Sequence, residues 1–206
     1  MTGMTEVPAS TGGLRERKKA RTRASIREQA LRLFREQGYD ATTIEQIAAA
    51  AEVSPATFFR YFPTKEDVVL QDDFDVVTLE ALQAQPLDLS PIAAFRGAAA
   101  AARAQMSAAD VAQFAETTRL TMSVPEIRAR ALDELVRTTE IITAAIAART
   151  GRGPDDFASR NLAGAIIGVI MTATMPWHLS DGGHDVDEMF DRIDAGLAHL
   201  EAGLPL

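Results

Sequence analysis

An all-α chain is predicted by three observations. Apolar residues recur at helical spacing, proline and glycine fall where helices start and stop, and no segment sustains the period-two alternation of a strand. Size and composition agree. A chain of 206 residues, 47% hydrophobic and 24% charged, can bury a core as one large domain or as a small domain joined to a larger one.

The elements follow in order. Residues 1–13 are small and polar and read as a flexible tail, without the charged-then-apolar order of a signal peptide. Ile26, Ala30, Leu33 and Phe34 fall at i, i+4, i+7 and i+8, the apolar stripe of a first helix that Gly38 ends near Gln37 as a left-handed cap. Thr43, with Gln46 three residues on, opens a second helix from Ile44 to about Ala51. Glu52-Val53 make a tight turn. Ser54 caps a third helix, Pro55 to about Tyr61, with proline at the first position, where its missing N–H costs nothing. Thr64 and Asp67 open a fourth helix over about 65–84, ended by Pro86. Five more are expected at about 91–105, 108–121, 125–149, 155–179 and 186–202, making about nine. The longest apolar stretch, Leu162 to Trp177, is short for a membrane span and contains Gly164, Gly168 and Pro176, so a buried helix of a cytoplasmic protein is expected.

Composition excludes several classes of function. Without cysteine there is no disulfide frame, thiolate metal site or thiol nucleophile. His178, His184 and His199 are too scattered for a zinc site, and no metal or cofactor is expected. No Gly-rich phosphate loop or serine elbow is present, so no catalytic residue is assigned. The acidic cluster Asp181, Asp185, Asp187 and Glu188 lacks EF-hand spacing and reads as a solvated loop near a helix start. The net charge of -8 conceals an asymmetry. Residues 1–67 carry 11 basic and 9 acidic side chains, residues 68–206 carry 10 and 20, and Gly13–Glu36 alone holds nine basic against three acidic. A basic arm on an acidic body points towards nucleic acid.

The second and third helices give that charge a purpose. Two short helices joined by a tight turn and preceded by a longer one form a helix-turn-helix. The third helix must enter a major groove about 12 Å wide, and the second must aim its amino end at phosphate. Thr43 stands at that amino end. Ala56 and Thr57 are small enough for close approach and can touch a thymine methyl. Arg60, Tyr61 and Lys65 are candidate phosphate ligands, while Phe58 and Phe62, four apart, are expected to wedge the helix into its neighbours.

The run Ala20–Leu70 closely resembles the DNA-binding domain of the TetR family. The resemblance rests on Ala30-Leu31-Arg32-Leu33-Phe34, Gln37-Gly38-Tyr39, Thr42-Thr43-Ile44, Ile47-Ala48, Val53-Ser54, Thr57-Phe58-Phe59-Arg60-Tyr61-Phe62 and Lys65-Glu66. It implies a helix-turn-helix DNA-binding domain over 14–63 and a larger helical ligand-binding and dimerisation domain over 64–206. By family position Thr43, Ser54, Pro55, Ala56, Thr57, Phe59, Tyr61 and Lys65 would face DNA. The implied protein is a homodimeric repressor on a palindromic operator, released when a small molecule fills the second domain. Three positions depart from the family: Phe59 where tyrosine is usual, Glu52 where glycine is usual, and Glu45 where a basic residue often touches DNA. An activator of the same fold, or a helical interaction protein that has lost DNA binding, remains open.

The dimer interface is expected on the eighth and ninth helices. Gly164, Gly168 and Thr172 repeat every four residues and permit close helix approach, and Val186, Met189, Phe190, Ile193, Leu197 and Leu200 form an apolar stripe. Candidate effector contacts are Phe74, Phe95, Phe114, Met122, Ile141, Met171, Met175 and Trp177, implying an apolar or amphipathic ligand. Arg96, Arg103, Arg119 and His178 could meet an anion but are expected at the surface or in ion pairs.

Overall fold

In the computed structural model, residues 11–71, 74–174 and 185–205 are described. They contain ten helices and no strand: α1 (Thr11–Gln37), α2 (Ile44–Ala50), α3 (Pro55–Tyr61), α4 (Asp67–Leu70), α5 (Phe74–Gln83), α6 (Pro91–Gln105), α7 (Ala108–Ser123), α8 (Pro125–Thr150), α9 (Phe157–Thr174) and α10 (Val186–Glu201). The chain forms two compact units that change over between Val68 and Val69.

The first unit is built on α1. Ile26, Ala30 and Phe34 are buried as the stripe requires, but Leu31 joins them and Leu33 is half-buried. At roughly 100° per residue, the buried arc runs from Ile26 across Arg27 to Leu31, which leaves Leu33 at its edge. Helix α1 begins at Thr11, inside the stretch read as tail. Gly38 takes φ +86 and ends it.

One fourth helix was expected over 65–84, and the described residues hold two, α4 and α5. Val68 and Val69 are both buried, which commits this single turn to packing, and Gln71 lies outside any helix. Thr64 and Asp67 still cap each other reciprocally: the Thr64 N–H donates to the Asp67 carboxylate at 3.0 Å, and the Asp67 N–H donates to the Thr64 hydroxyl at 3.2 Å.

In the second unit, α5 packs on α6, α8 on α9, and α10 on both α6 and α9. Ala94, Ala98 and Ala102 recur every four residues on the buried side of α6, and Arg96 and Arg103 reach from α6 to α10. Charged arms flank this seam. Arg96 binds Asp194 through two bonds of 2.7 and 2.9 Å, and Arg103 donates to Asp187 at 2.9 Å. The Arg96 hydrogen bonds hold the Asp194 carboxyl below its usual range. Arg149 fastens the α5–α6 connection by donating to the carbonyls of Gln85, Pro86 and Leu89.

Helices α9 and α10 cross where Gly196 meets Val169. A Cβ built at Gly196 would stand 2.7 Å from a Val169 methyl. Gly196→Ala gains up to about 1 kcal/mol of helix propensity but forces an overpacked contact costing about 1–3 kcal/mol. The net expectation is a loss of about 1 kcal/mol, read from urea denaturation; a stabilised variant would show that this crossing is not tight.

Candidate nucleic-acid interface and sensor cavities

The turn between α2 and α3 is closed by backbone hydrogen bonds alone. The Glu52 N–H donates to Ala49 O at 3.1 Å and the Val53 N–H to Ala48 O at 2.9 Å, the paired bonds of a Schellman ending. Such an ending needs a left-handed residue, and Glu52 supplies it at φ 54. Glycine takes that conformation freely; an L side chain does so at a cost of about 1–2 kcal/mol.

Both short helices are capped as the sequence predicts. The Thr43 hydroxyl accepts from the Gln46 N–H at 3.3 Å, while the Gln46 carboxamide accepts from the Thr43 N–H at 2.9 Å. Ser54 accepts from the Thr57 N–H at 3.1 Å, and its hydroxyl lies 3.0 Å from that of Thr57. Phe58 and Phe62 are fully buried. Helical geometry then turns Pro55, Ala56, Phe59 and Arg60 outward, and all four are exposed, as are Thr43 and Ser54. Phe59 is 51% exposed, so it is not a core side chain. Thr57 and Tyr61 are half-buried, and the Arg60 guanidinium lies 5.2 Å from the centre of the Tyr61 ring. Glu45 and Glu52 are exposed near this face.

Lys65 points inward rather than out. Its ammonium donates to Tyr39 O at 2.9 Å and Thr42 O at 3.1 Å, and lies 3.9 Å from the centre of the Tyr39 ring. The Tyr39 hydroxyl donates to Glu66 at 2.5 Å. A second set of bonds joins α1 to α2, because the Gln37 carboxamide donates to the Thr42 hydroxyl at 3.1 Å and to Gln46 at 2.9 Å. Gln37, Tyr39 and Glu66 belong to the motifs that carry the family resemblance, but the sequence assigned none of them a role in this polar layer. Partial burial works to raise the Glu66 pKa. Hydrogen bonds from Tyr39, its own backbone and Thr64, with the charge of Lys65, outweigh that and hold it below 4.5. Along α1, Arg15, Arg17, Lys18, Lys19 and Arg21 are exposed.

Two adjoining cavities of the second unit take up most of the candidate effector contacts that can be placed. The larger, 530 Å³, is lined by Met122 and Met171 with Thr117, Thr121, Leu135 and Ile167. The smaller, 180 Å³, is lined by Phe95, Phe114 and Ile141 with Thr78, Phe190 and Ile193. Thr138, Ile170 and Thr174 line both. The Phe74 side chain, Met175, Trp177 and His178 lie outside the described residues. Arg96, Arg103 and Arg119 are ion-paired, as expected. No cluster of three or more potential ligands placed to hold a metal occurs among the described residues.

The residues expected at a dimer interface separate into two groups. Met189, Ile193 and Leu197 are enclosed in the core of their own unit, and Phe190 packs on Phe114 with ring centres 5.8 Å apart. The apolar stripe of α10 is therefore core, because α6 and α9 already cover it. Gly164, Gly168 and Thr172 are instead exposed on α9, and a Cβ at either glycine would meet nothing within 4 Å. By length and composition α9 could also cross a membrane, with mean hydropathy 1.2 over 18 residues, of which 28% are buried.

Two predictions come from the first unit. Glu52→Gly relieves the left-handed strain, less the extra entropy glycine loses on folding, and should raise the unit's stability by about 0.5–1 kcal/mol. Because the two tyrosines both lie in this unit, their NMR ring signals in a urea titration report it. For Glu66, whose folded pKa is lowered, the stabilisation is present above 4.5 and is lost as pH falls through the folded value. Tyr39→Phe should flatten that acid loss; an unchanged slope between about pH 7 and about pH 3.5 would remove Glu66 from the account.

Comparison with known proteins gives this geometry its lineage. Residues 26–71 match the profile of bacterial regulatory proteins of the tetR family, and residues 89–205 match the MftR C-terminal domain. The HTH-type transcriptional regulator TcmR of Streptomyces glaucescens is 36% identical over 175 residues, covering 81% of this chain and 77% of TcmR. The protein named as mycofactocin biosynthesis transcriptional regulator MftR, from Mycobacterium tuberculosis, is 27% identical over 191 residues, covering 89% of this chain and 95% of MftR. Among solved structures, the TetR-family repressor FadR of Thermus thermophilus, in complex with lauroyl-CoA, shares the fold with a TM-score of 0.56 at 23% identity, covering 89% of this chain and 95% of FadR. An exposed, doubly anchored α3, a cavity-bearing helical unit and these matches together place the chain in the tetR family of bacterial regulatory proteins, as a helix-turn-helix transcriptional regulator and not an enzyme.

Proposed function

We propose that this protein is a dimeric repressor that grips a palindromic operator through α3 and lets go when an apolar effector fills the second unit. The observation that carries the reading is the split on α3: Phe58 is buried while Pro55, Ala56, Phe59 and Arg60 are exposed on one short helix. Seven residues at 1.5 Å each make a probe about 10 Å long, short enough to seat in a major groove. Thr43, Ser54 and Tyr61 then border the groove, and Thr57 reads it beside Ala56. Lys65 shapes the interface by tying Tyr39 and Thr42 in place, with one N–H left for phosphate. The exposed cations of α1 supply sequence-independent attraction. A role on DNA implies work in the cytoplasm.

The effector reading rests on the two cavities and their mostly apolar walls. FadR, with lauroyl-CoA bound, is a repressor of the same fold that holds an apolar chain. Leu70, which lines the larger cavity, stands on α4, just after the change-over from the first unit in the chain. The dimer reading rests on α9, whose small-residue face is open.

Selection of bound DNA from a random library tests the main claim. A two-fold site is expected, with half-site centres about 34–36 Å apart or a multiple of that. Affinity should fall about a thousandfold between 50 and 200 mM salt, as roughly six or more phosphate contacts demand. Arg60→Ala should weaken all sequences alike, and Thr57→Val should change the preferred bases. Enrichment of no sequence would favour the interaction-protein alternative. Gly168→Leu should weaken dimerisation at least tenfold in sedimentation equilibrium; an unaltered dimer would place the interface off α9.

A further inference from the structure

We infer that the effector is a neutral ring compound carrying an oxygen substituent, and that Thr78 selects it by hydrogen-bonding that oxygen inside the smaller cavity. This deepens the effector reading above and rests on it for its regulatory meaning. Thr78 is 8% exposed, lines the cavity, and its Oγ1 is buried without a hydrogen-bond partner. Other threonines of this unit satisfy themselves. Thr121, Thr143 and Thr174 each donate to the carbonyl one turn back, at 2.9, 2.7 and 3.1 Å. A buried hydroxyl left unpaired is costly in an apolar surround, and the cost is recovered when a ligand supplies the partner. A hydroxyl both donates and accepts, so a phenol or an aryl ketone satisfies it equally well.

Size and charge narrow the class. The volume of 180 Å³ compares with the dry cavity of about 150 Å³ that admits benzene in another protein, so one ring fits. Phe95, Phe114 and Phe190 give that ring aromatic walls. None of the lining side chains is charged, so a carboxylate or an amine buried there would have no counterion. The larger cavity differs, with Arg128 and Glu134 in its wall. The oxygenated ring therefore occupies the smaller cavity, and the rest of the molecule passes Thr138, Ile170 and Thr174 into the larger one.

Calorimetry on the full-length, DNA-free protein tests this with 1-naphthol and naphthalene. A purely greasy site favours naphthalene, the more water-averse of the two. The wild type is expected to bind 1-naphthol about tenfold more tightly than naphthalene, the worth of one buried hydrogen bond. Thr78→Val should erase or reverse that order while keeping naphthalene binding, and should melt at a higher temperature without ligand. Thr78→Ser, which keeps the hydroxyl, should keep the order and shows that the site tolerates change. Equal binding of both probes by the wild type, binding of neither, or a preference that survives Thr78→Val overturns the inference. Operator release is scored separately. Discrimination through Thr78 without release by 1-naphthol would leave the ligand class standing and count against the release reading.

Discussion

Seven residues of helix do not hold together in water, because nucleating a helix costs more than so few hydrogen bonds return. Helix α3 exists because Phe58 and Phe62, one turn apart, are both fully buried. That anchoring fixes the rotation of the helix as well as its existence. With Phe58 inward, Phe59 and Arg60 must point outward, along with Pro55 and Ala56 one turn earlier. The exposed face proposed to read DNA is thus the geometric complement of the hydrophobic anchor. The caps at Thr43 and Ser54 and the left-handed turn at Glu52 set where the helices start and stop, but the two phenylalanines decide which side is exposed.

A polar layer keeps the surrounding turns from shifting. Lys65 and Glu66 both reach back to Tyr39, one through its carbonyl and ring and the other through its hydroxyl. Gln37 joins the end of α1 to Thr42 and Gln46. In the proposed function these residues act by positioning the helices rather than by touching DNA. Lys65 shows why: a flexible four-carbon stem can fold its charge onto carbonyls, and here it reaches those of Tyr39 and Thr42.

The second unit repeats the theme of complementary faces. The apolar stripe of α10 is spent on its own core, against α6 and α9, and so is not free for a partner. On α9 the exposed side carries Gly164, Gly168 and Thr172, a surface that gains by close approach. The cavities interrupt the core where Phe, Met and Ile meet threonines, and Thr78 leaves its hydroxyl there without a partner.

Sequence alone determined the helical class, the caps at Thr43, Ser54 and Thr64, the left-handed Gly38, the Phe58–Phe62 anchor and the family. All of these are local: a cap or an i, i+4 pair is complete within a few residues, so its pattern survives in the linear chain. Only the tertiary structure decided that Lys65 turns inward, that Leu31 rather than Leu33 is fully buried, that the fourth helix becomes two, that the stripe of α10 is core, and that Phe95, Phe114 and Thr78 surround one cavity. Each of those depends on what another segment, tens of residues away, presents to the same surface. An apolar stripe states that it will be covered but not by what, and a threonine does not show in sequence whether its hydroxyl will find a carbonyl.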